Sequence, residues 1–361
     1  MMKDILFLFF MVFDPWRVLV PAGLSVILLV SPWLAKGNPK SPYTLVQSVL
    51  SQLTGKFALY LFGFTGLLGF CLSWFPFFVN SSLLSDGGLL GWLEVMCYGG
   101  GVFCLWKVQQ VTALGERSFQ GWPWLGCILF LGALSLWILK WDEVVYGGSA
   151  GIGGGVSSWD WPRLLSKGIH VLLSALAVGG LVVILLGAIS WTKGKKEGNE
   201  HLKRREPEEE CRIQVVRFGM AWVLGGVVPQ VVVGSWLMVA LGEDVRNHFL
   251  NGLTLGSFIF FSSLLLALLG LVLINAAFIA PQVKGLVWGG WTSILCAIFL
   301  MGFIRYDTLG VAVASWQTEG IWFPLSVWHL LLSVLPLVAL LAFLLKALSS
   351  ALIFHGEKPT E

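Results

Sequence analysis

The segment Trp159-Asp160-Trp161-Pro162-Arg163, followed by the apolar run that carries His170 and then by Lys193-Gly194-Lys195-Lys196, decides the fold class. Between the two polar ends lie about 29 residues, 163–191, dominated by Leu, Val, Ile, Ala and Gly. A hydrocarbon core is crossed by roughly 20 apolar residues in a helix. Inside it the backbone must satisfy its own hydrogen bonds, which leaves only helices and closed barrels. A run this long and this uniformly apolar is a helix. Trp159, Trp161 and Arg163 anchor one end, and the basic cluster from Lys193 anchors the other.

The same pattern recurs along the chain, at about 18–35, 57–79, 87–111, 122–140, 163–191, 214–241, 249–276, 283–304 and 322–347. The expected fold is all-α: a polytopic integral membrane helix bundle of about nine transmembrane helices, forming one domain over 1–361. Composition agrees. The 361 residues are 57% hydrophobic and 12% charged, against roughly 25% charged in soluble domains. A soluble globule is excluded, and the net charge of +3 gives no reason to expect a nucleic-acid partner. Lys3 followed by Ile5 to Phe13 resembles a signal peptide, but no small-residue cleavage site follows. Instead Asp14-Pro15-Trp16-Arg17 is expected to break the run before the first span.

Basic residues set the expected orientation. With 192–213 taken as a charged cytoplasmic loop, Lys36, Lys40, Lys56, Lys107, Arg117, Lys284, Lys346 and Lys358 fall on the inner side. Lys193, Lys195, Lys196, Lys203, Arg204, Arg205, Arg212 and Arg217 join them. Lys3, Arg17, Lys140, Arg163, Lys167, Arg246 and Arg305 remain outside. Sixteen against seven predicts an external amino terminus and a cytoplasmic carboxyl terminus, in a bacterial inner membrane. The segment 141–162, with Gly147-Gly148-Ser149-Ala150-Gly151-Ile152-Gly153-Gly154-Gly155, reads as a Gly-rich outer loop. It lacks the GKS/T ending of a phosphate-binding loop. The six cysteines form no CxxC or CxxCH pattern, which disfavours thiolate zinc sites and covalent haem.

Chemistry is expected from few residues. His201 and His355 fall in inner polar segments, whereas His170, His248 and His329 are expected toward the outer face. His170 and His329 each lie seven residues past an interfacial residue, Arg163 and Trp322, roughly 10 Å into a helix at 1.5 Å per residue. Two imidazoles at one depth suit a bis-histidine haem. Beyond His170, Ser174, Ala177 and Gly180 line a small face that either admits a flat macrocycle or packs a helix closely. His170 is the expected haem-iron ligand, with His248 or His329 as its partner. Arg163, Arg246 and Arg305 are expected near haem propionates, or else Asp160 and Asp307 pair with them. Glu94 and Lys107 are expected to be the only charges well inside a span, Glu94 as a proton-path carboxylate.

The segment Gly168-Ile169-His170-Val171-Leu172-Leu173-Ser174-Ala175-Leu176-Ala177-Val178-Gly179-Gly180 resembles the fifth helix of cytochrome bd oxidase subunit I. Arg217-Phe218-Gly219-Met220-Ala221 is similar to the start of that family's sixth helix. The resemblance implies a low-spin b haem on His170, near the outer face. The family's helix 1 histidine is absent, with Trp16 standing ahead of Val20-Pro21 in its place. Its paired helix 3 glutamates are reduced to Glu94, its quinol loop to about seven residues, and its methionine ligand has no match; alignment there gives Leu250.

The expected function is that of a membrane subunit of a respiratory electron-transfer system. It would hold one b-type haem near the outer face and exchange electrons with the quinone pool, without itself reducing oxygen. Its expected surroundings are the lipid bilayer and other membrane or extracytoplasmic electron-transfer subunits. The alternatives are a haem-free scaffold subunit of a respiratory assembly and, with less support, a transporter, which needs broken helices and midplane polar groups.

Overall fold

A computed structural model describes residues 2–35, 43, 50, 54, 58, 88–113, 121–146, 160–193, 202–241, 243–250 and 254–314. They form α1 (Met2–Ala35), α2 (Gly88–Ala113), α3 (Gly121–Tyr146), α4 (Trp161–Lys193), α5 (Leu202–Ala240), α6 (Glu243–Leu250), α7 (Leu255–Ile279) and α8 (Lys284–Ala314). No strand occurs among the described residues. Six of these helices contain stretches long and apolar enough to cross a bilayer: Asp14–Leu34, Gly121–Leu139, Trp161–Ala188, Glu210–Ala240, Leu255–Ile279 and Lys284–Arg305. The chain is a helical, multi-pass membrane protein. The spans expected at 57–79 (Ala58 apart) and 322–347, the glycine-rich run 147–155, and His201, His329 and His355 lie outside the described residues.

Three antiparallel hairpins, α2–α3, α4–α5 and α7–α8, surround α1, which packs on α3, α4 and α8. Burial follows this order. The spans of α1 and α4 are 67% and 72% buried, those of α5 and α7 only 17% and 28%. The outer helices therefore turn apolar side chains such as Val232, Val239, Phe258, Leu265 and Val272 outward, as a lipid-facing surface requires.

Small residues close the seams, because helices in lipid associate through packing rather than a hydrophobic driving force. A methyl group on Gly219 of α5 would lie 2.7 Å from the Ile184 nitrogen and 2.8 Å from the Gly180 carbonyl oxygen of α4. One on Gly226 would lie 2.6 Å from the Leu173 carbonyl oxygen. Gly23 of α1 meets the Ala175 carbonyl and Gly179 of α4, and any Cβ there would overlap the Ala175 oxygen. Gly270 and Gly290 set the α7–α8 seam in the same way, against Ile294 and Ile274.

Three expectations are corrected. The Asp14–Arg17 tetrapeptide does not break the first helix: α1 runs through it, with Pro15, Pro21 and Pro32 inside. Prolines are tolerated in membrane helices when neighbours take up the freed backbone groups, and α1 has such neighbours. The charged segment is not all loop, since α5 begins at Leu202 and its first turns carry the Glu-rich run. Glu208 stands four residues before Arg212 there, a spacing that supports a helix. Finally, the long helix expected from residue 249 begins six residues later, and His248 does not stand at its start. It sits on the separate short α6, and α7 starts at Leu255 behind the N-cap Thr254, whose hydroxyl accepts from the Ser257 N–H at 3.1 Å.

Candidate functional site

The most polar region of the bundle lies where α1, α2, α3 and α8 meet. Asp14 and Arg17 are one turn apart on α1, and both are buried. Arg17 Nη2 lies 3.0 Å and Nε 3.2 Å from Asp14 Oδ1. The same Nη2 lies 2.6 Å from Glu94 Oε1 on α2. Asp14 Oδ2 accepts the indole N–H of Trp137 on α3 at 2.6 Å and lies 4.0 Å from Arg305 Nη2 on α8. The Arg305 guanidinium stacks on the Trp137 ring at 4.4 Å. Among the described residues, two carboxylates and two guanidiniums meet here and balance in formal charge. An isolated ion in this setting costs several kcal/mol of desolvation, which close pairing and charge-assisted hydrogen bonds offset.

The backbone joins this network. Pro21 has no N–H to give the carbonyl four residues back, that of Arg17. The Tyr98 hydroxyl of α2 stands 3.1 Å from that oxygen and 2.8 Å from the Ala58 carbonyl, with one proton to share between them. Tyr98 is itself buried, edge-on to Phe130 of α3 at 5.5 Å.

His170 stands on the α4–α5 seam. Gln230 of α5 donates to Ser174 Oγ at 2.6 Å and to the His170 carbonyl at 3.3 Å, and Ser174 Oγ donates to the same carbonyl at 2.9 Å. The imidazole faces Gly234, where a methyl group would be 3.8 Å from both Nδ1 and Cε1. Nδ1 is buried and has no hydrogen-bond partner among the described residues. This ring and the charge cluster share a depth. Arg17 lies six residues before the Gly23 crossing and His170 five before Ala175, roughly 9 and 8 Å along the two axes. The two helices run the same way, since Ile27, one turn beyond Gly23, also reaches Gly179.

The other expected site residues are dispersed. His248 lies edge-on to Phe249 at 5.1 Å on α6, whose principal packing partners are α7 and α8. Its carbonyl accepts the Ser257 hydroxyl at 2.9 Å. Arg246 donates to the Val239 carbonyl at 3.4 Å, near the end of α5. Arg163 pairs with Asp160 at 3.7 Å. Arg305 reaches Asp14, and the side chain of Asp307 lies outside the described residues. Lys107 sits 4.9 Å over the Trp106 ring and 3.4 Å from Gln110 Oε1.

Glu94 and Lys107 are therefore not the only charges within helices of the bundle. Asp14 and Arg17 belong there too, and their opposite charge at an i, i+3 spacing was the signal available in the sequence. Trp137 and Tyr98 had no such signal, being two among many aromatic residues in apolar runs. No family model matches the chain, and no curated protein matches it in sequence.

A haem axial ligand needs a ring nitrogen that no protein group already occupies, beside a face open enough for the cofactor. The unpartnered ring of His170 beside Gly234 fits that demand. Arg246 and Arg305 are engaged by protein groups and fit the propionate role less well.

Proposed function

We propose that this chain is a membrane subunit of an electron-transfer system, similar to cytochrome bd oxidase subunit I, with His170 as an axial ligand of one b-type haem. The observation that carries this reading is the imidazole of His170, set in an apolar seam with its buried nitrogen unpartnered among the described residues. An ionisable side chain within a membrane span is a functional candidate by default. Bound there, the haem would supply a one-electron couple. The chain's own part is to present the ring from α4, exclude water through the closed glycine seam, and surround that layer with fixed charge.

The second ligand in this proposal is His248 or His329. The electron donor or acceptor is the quinone pool on one side of the exchange and an extracytoplasmic subunit on the other. The full bundle has about nine spans in a bacterial cytoplasmic membrane, its amino terminus outside and its carboxyl terminus inside. Absence of a helix 1 histidine beside Trp16 argues for electron transfer without oxygen reduction.

A second reading is a haem-free scaffold subunit, favoured by the neutral charge network that ties four helices together. Absorption separates the two. The protein, purified from haem-supplemented cells, is expected to show a Soret band that His170→Ala abolishes while the variant stays folded. A colourless wild type after supplementation sinks the haem reading and leaves the scaffold.

A further inference from the structure

We infer that Gln230 is a positioning residue for His170, holding by its carboxamide the helical turn that carries the imidazole. This rests on the ligand role proposed for His170.

The α4–α5 seam does not need a glutamine to close. Leu173, Ala177, Gly180 and Ile184 meet Gly219, Val223 and Gly226 at backbone contact throughout. A carboxamide on such a face loses free energy unless it is bonded. Gln230 is bonded to one place only among the described residues, the His170–Ser174 turn, through Ser174 Oγ at 2.6 Å and the His170 carbonyl at 3.3 Å. Gln230 and Gly234, at i and i+4, share one face of α5. That face thus grips the backbone of the histidine through Gln230 and turns Gly234 toward its ring.

The geometry has a specific consequence. A metal-ligating histidine is ordinarily oriented by a hydrogen bond to its second ring nitrogen. Whichever ring nitrogen of His170 took the iron, the other would have no such partner among the described residues. Ring orientation must then come from the clamped turn. Gln230 acts through His170 and not on the cofactor itself.

The test uses the full chain in detergent, with Gln230→Met, which keeps the side chain's length and loses its hydrogen bonds, and Ser174→Ala, which removes the shared hydroxyl. In haem-loaded protein the expected result is full haem content with at least a tenfold change in the relative affinity for the two oxidation states. That change is a midpoint shift of about 59 mV for one electron. A merely structural role would leave the potential and the low-temperature EPR g values of the folded variant where they are. Haem bound by the wild type and lost in His170→Ala, but with unchanged potential in Gln230→Met and Ser174→Ala, overturns the positioning role and leaves the ligand reading standing. If the wild type binds no haem, the ligand reading falls, and diethyl pyrocarbonate labelling of His170, followed by mass spectrometry, tests the clamp alone. Several-fold faster labelling in Gln230→Met supports the clamp; equal rates overturn it.

Discussion

The Tyr98 hydroxyl of α2 meets the carbonyl oxygen of Arg17 at 3.1 Å, the oxygen that Pro21 leaves without its helical N–H. A defect in one helix is repaired by a side chain from another, and the repaired residue is the cation at the centre of the buried charge cluster. Tyr98→Phe is expected to destabilise the protein by about 1–3 kcal/mol, the cost of an unsatisfied buried acceptor. In a Pro21→Ala background the helical N–H returns, and the same substitution is expected to cost less. Unfolding measurements on the four variants of this double-mutant cycle would read the difference as coupling; additive effects would disprove the repair.

Arg17 serves Asp14 and Glu94 at once. Arg17→Leu leaves two carboxylates without their shared partner, with an expected loss of about 3–5 kcal/mol. Replacing Asp14, Arg17, Glu94 and Arg305 together by apolar residues of similar volume removes the charges that the described residues bring to the cluster and is expected to recover most of that loss. Thermal unfolding in detergent compares the two; a quadruple variant worse than the single would mean that the cluster contributes more than mutual neutralisation.

Trp137 has two roles that separate cleanly. Its N–H donates to Asp14 at 2.6 Å, and its ring carries the Arg305 guanidinium at 4.4 Å. Trp137→Phe keeps a ring and loses the donor, for an expected cost of about 1.5–3 kcal/mol as a hydrogen bond to a charged group. Trp137→Leu loses both and is expected to cost measurably more in the same assay, by about 0.5–2 kcal/mol for the lost cation–π contact.

Two glycines on the same helix should answer oppositely to one methyl group. At Gly219 the added carbon lies 2.7 Å from backbone nitrogen of α4, so Gly219→Ala forces α4 and α5 apart. At Gly234 the nearest atoms are 3.8 Å away, an ordinary contact, so Gly234→Ala fits. The expected readout is a drop in Tm of several degrees for Gly219→Ala and almost none for Gly234→Ala, by differential scanning fluorimetry. Equal responses would refute the close seam.

The helices were legible because lipid imposes a length and an apolar composition on each, and the apolar spans of α4 and α8, Trp161–Ala188 and Lys284–Arg305, fall close to their expected bounds, although α8 itself runs on to Ala314. The interior of the bundle was much less so. Asp14-Pro15-Trp16-Arg17 looks like an interruption when only its neighbours in sequence are considered. Its charges and the Arg17 carbonyl that Pro21 leaves free are answered by Glu94, Tyr98, Trp137 and Arg305, the nearest of them 77 positions beyond Arg17 in the sequence. Local reading has no access to a partner at that separation. His170 stood out as a titratable residue in an apolar run, but Gln230, which bonds its turn, looked like one polar residue among many until the α4–α5 register joined them.

The order of the chain gives the Asp14–Arg17 pair one more consequence. Translation delivers α1 into the membrane before Glu94, Tyr98, Trp137 and Arg305 exist. Glu94 and Tyr98 arrive with the next described helix, Trp137 with the one after, and Arg305 only with α8. During that interval α1 carries an ion pair and an unanswered carbonyl, so it gains by staying near the interface or under a chaperone until its partners emerge. The helix at the centre of the bundle is thus an early arrival whose described partners come with α2, α3 and α8.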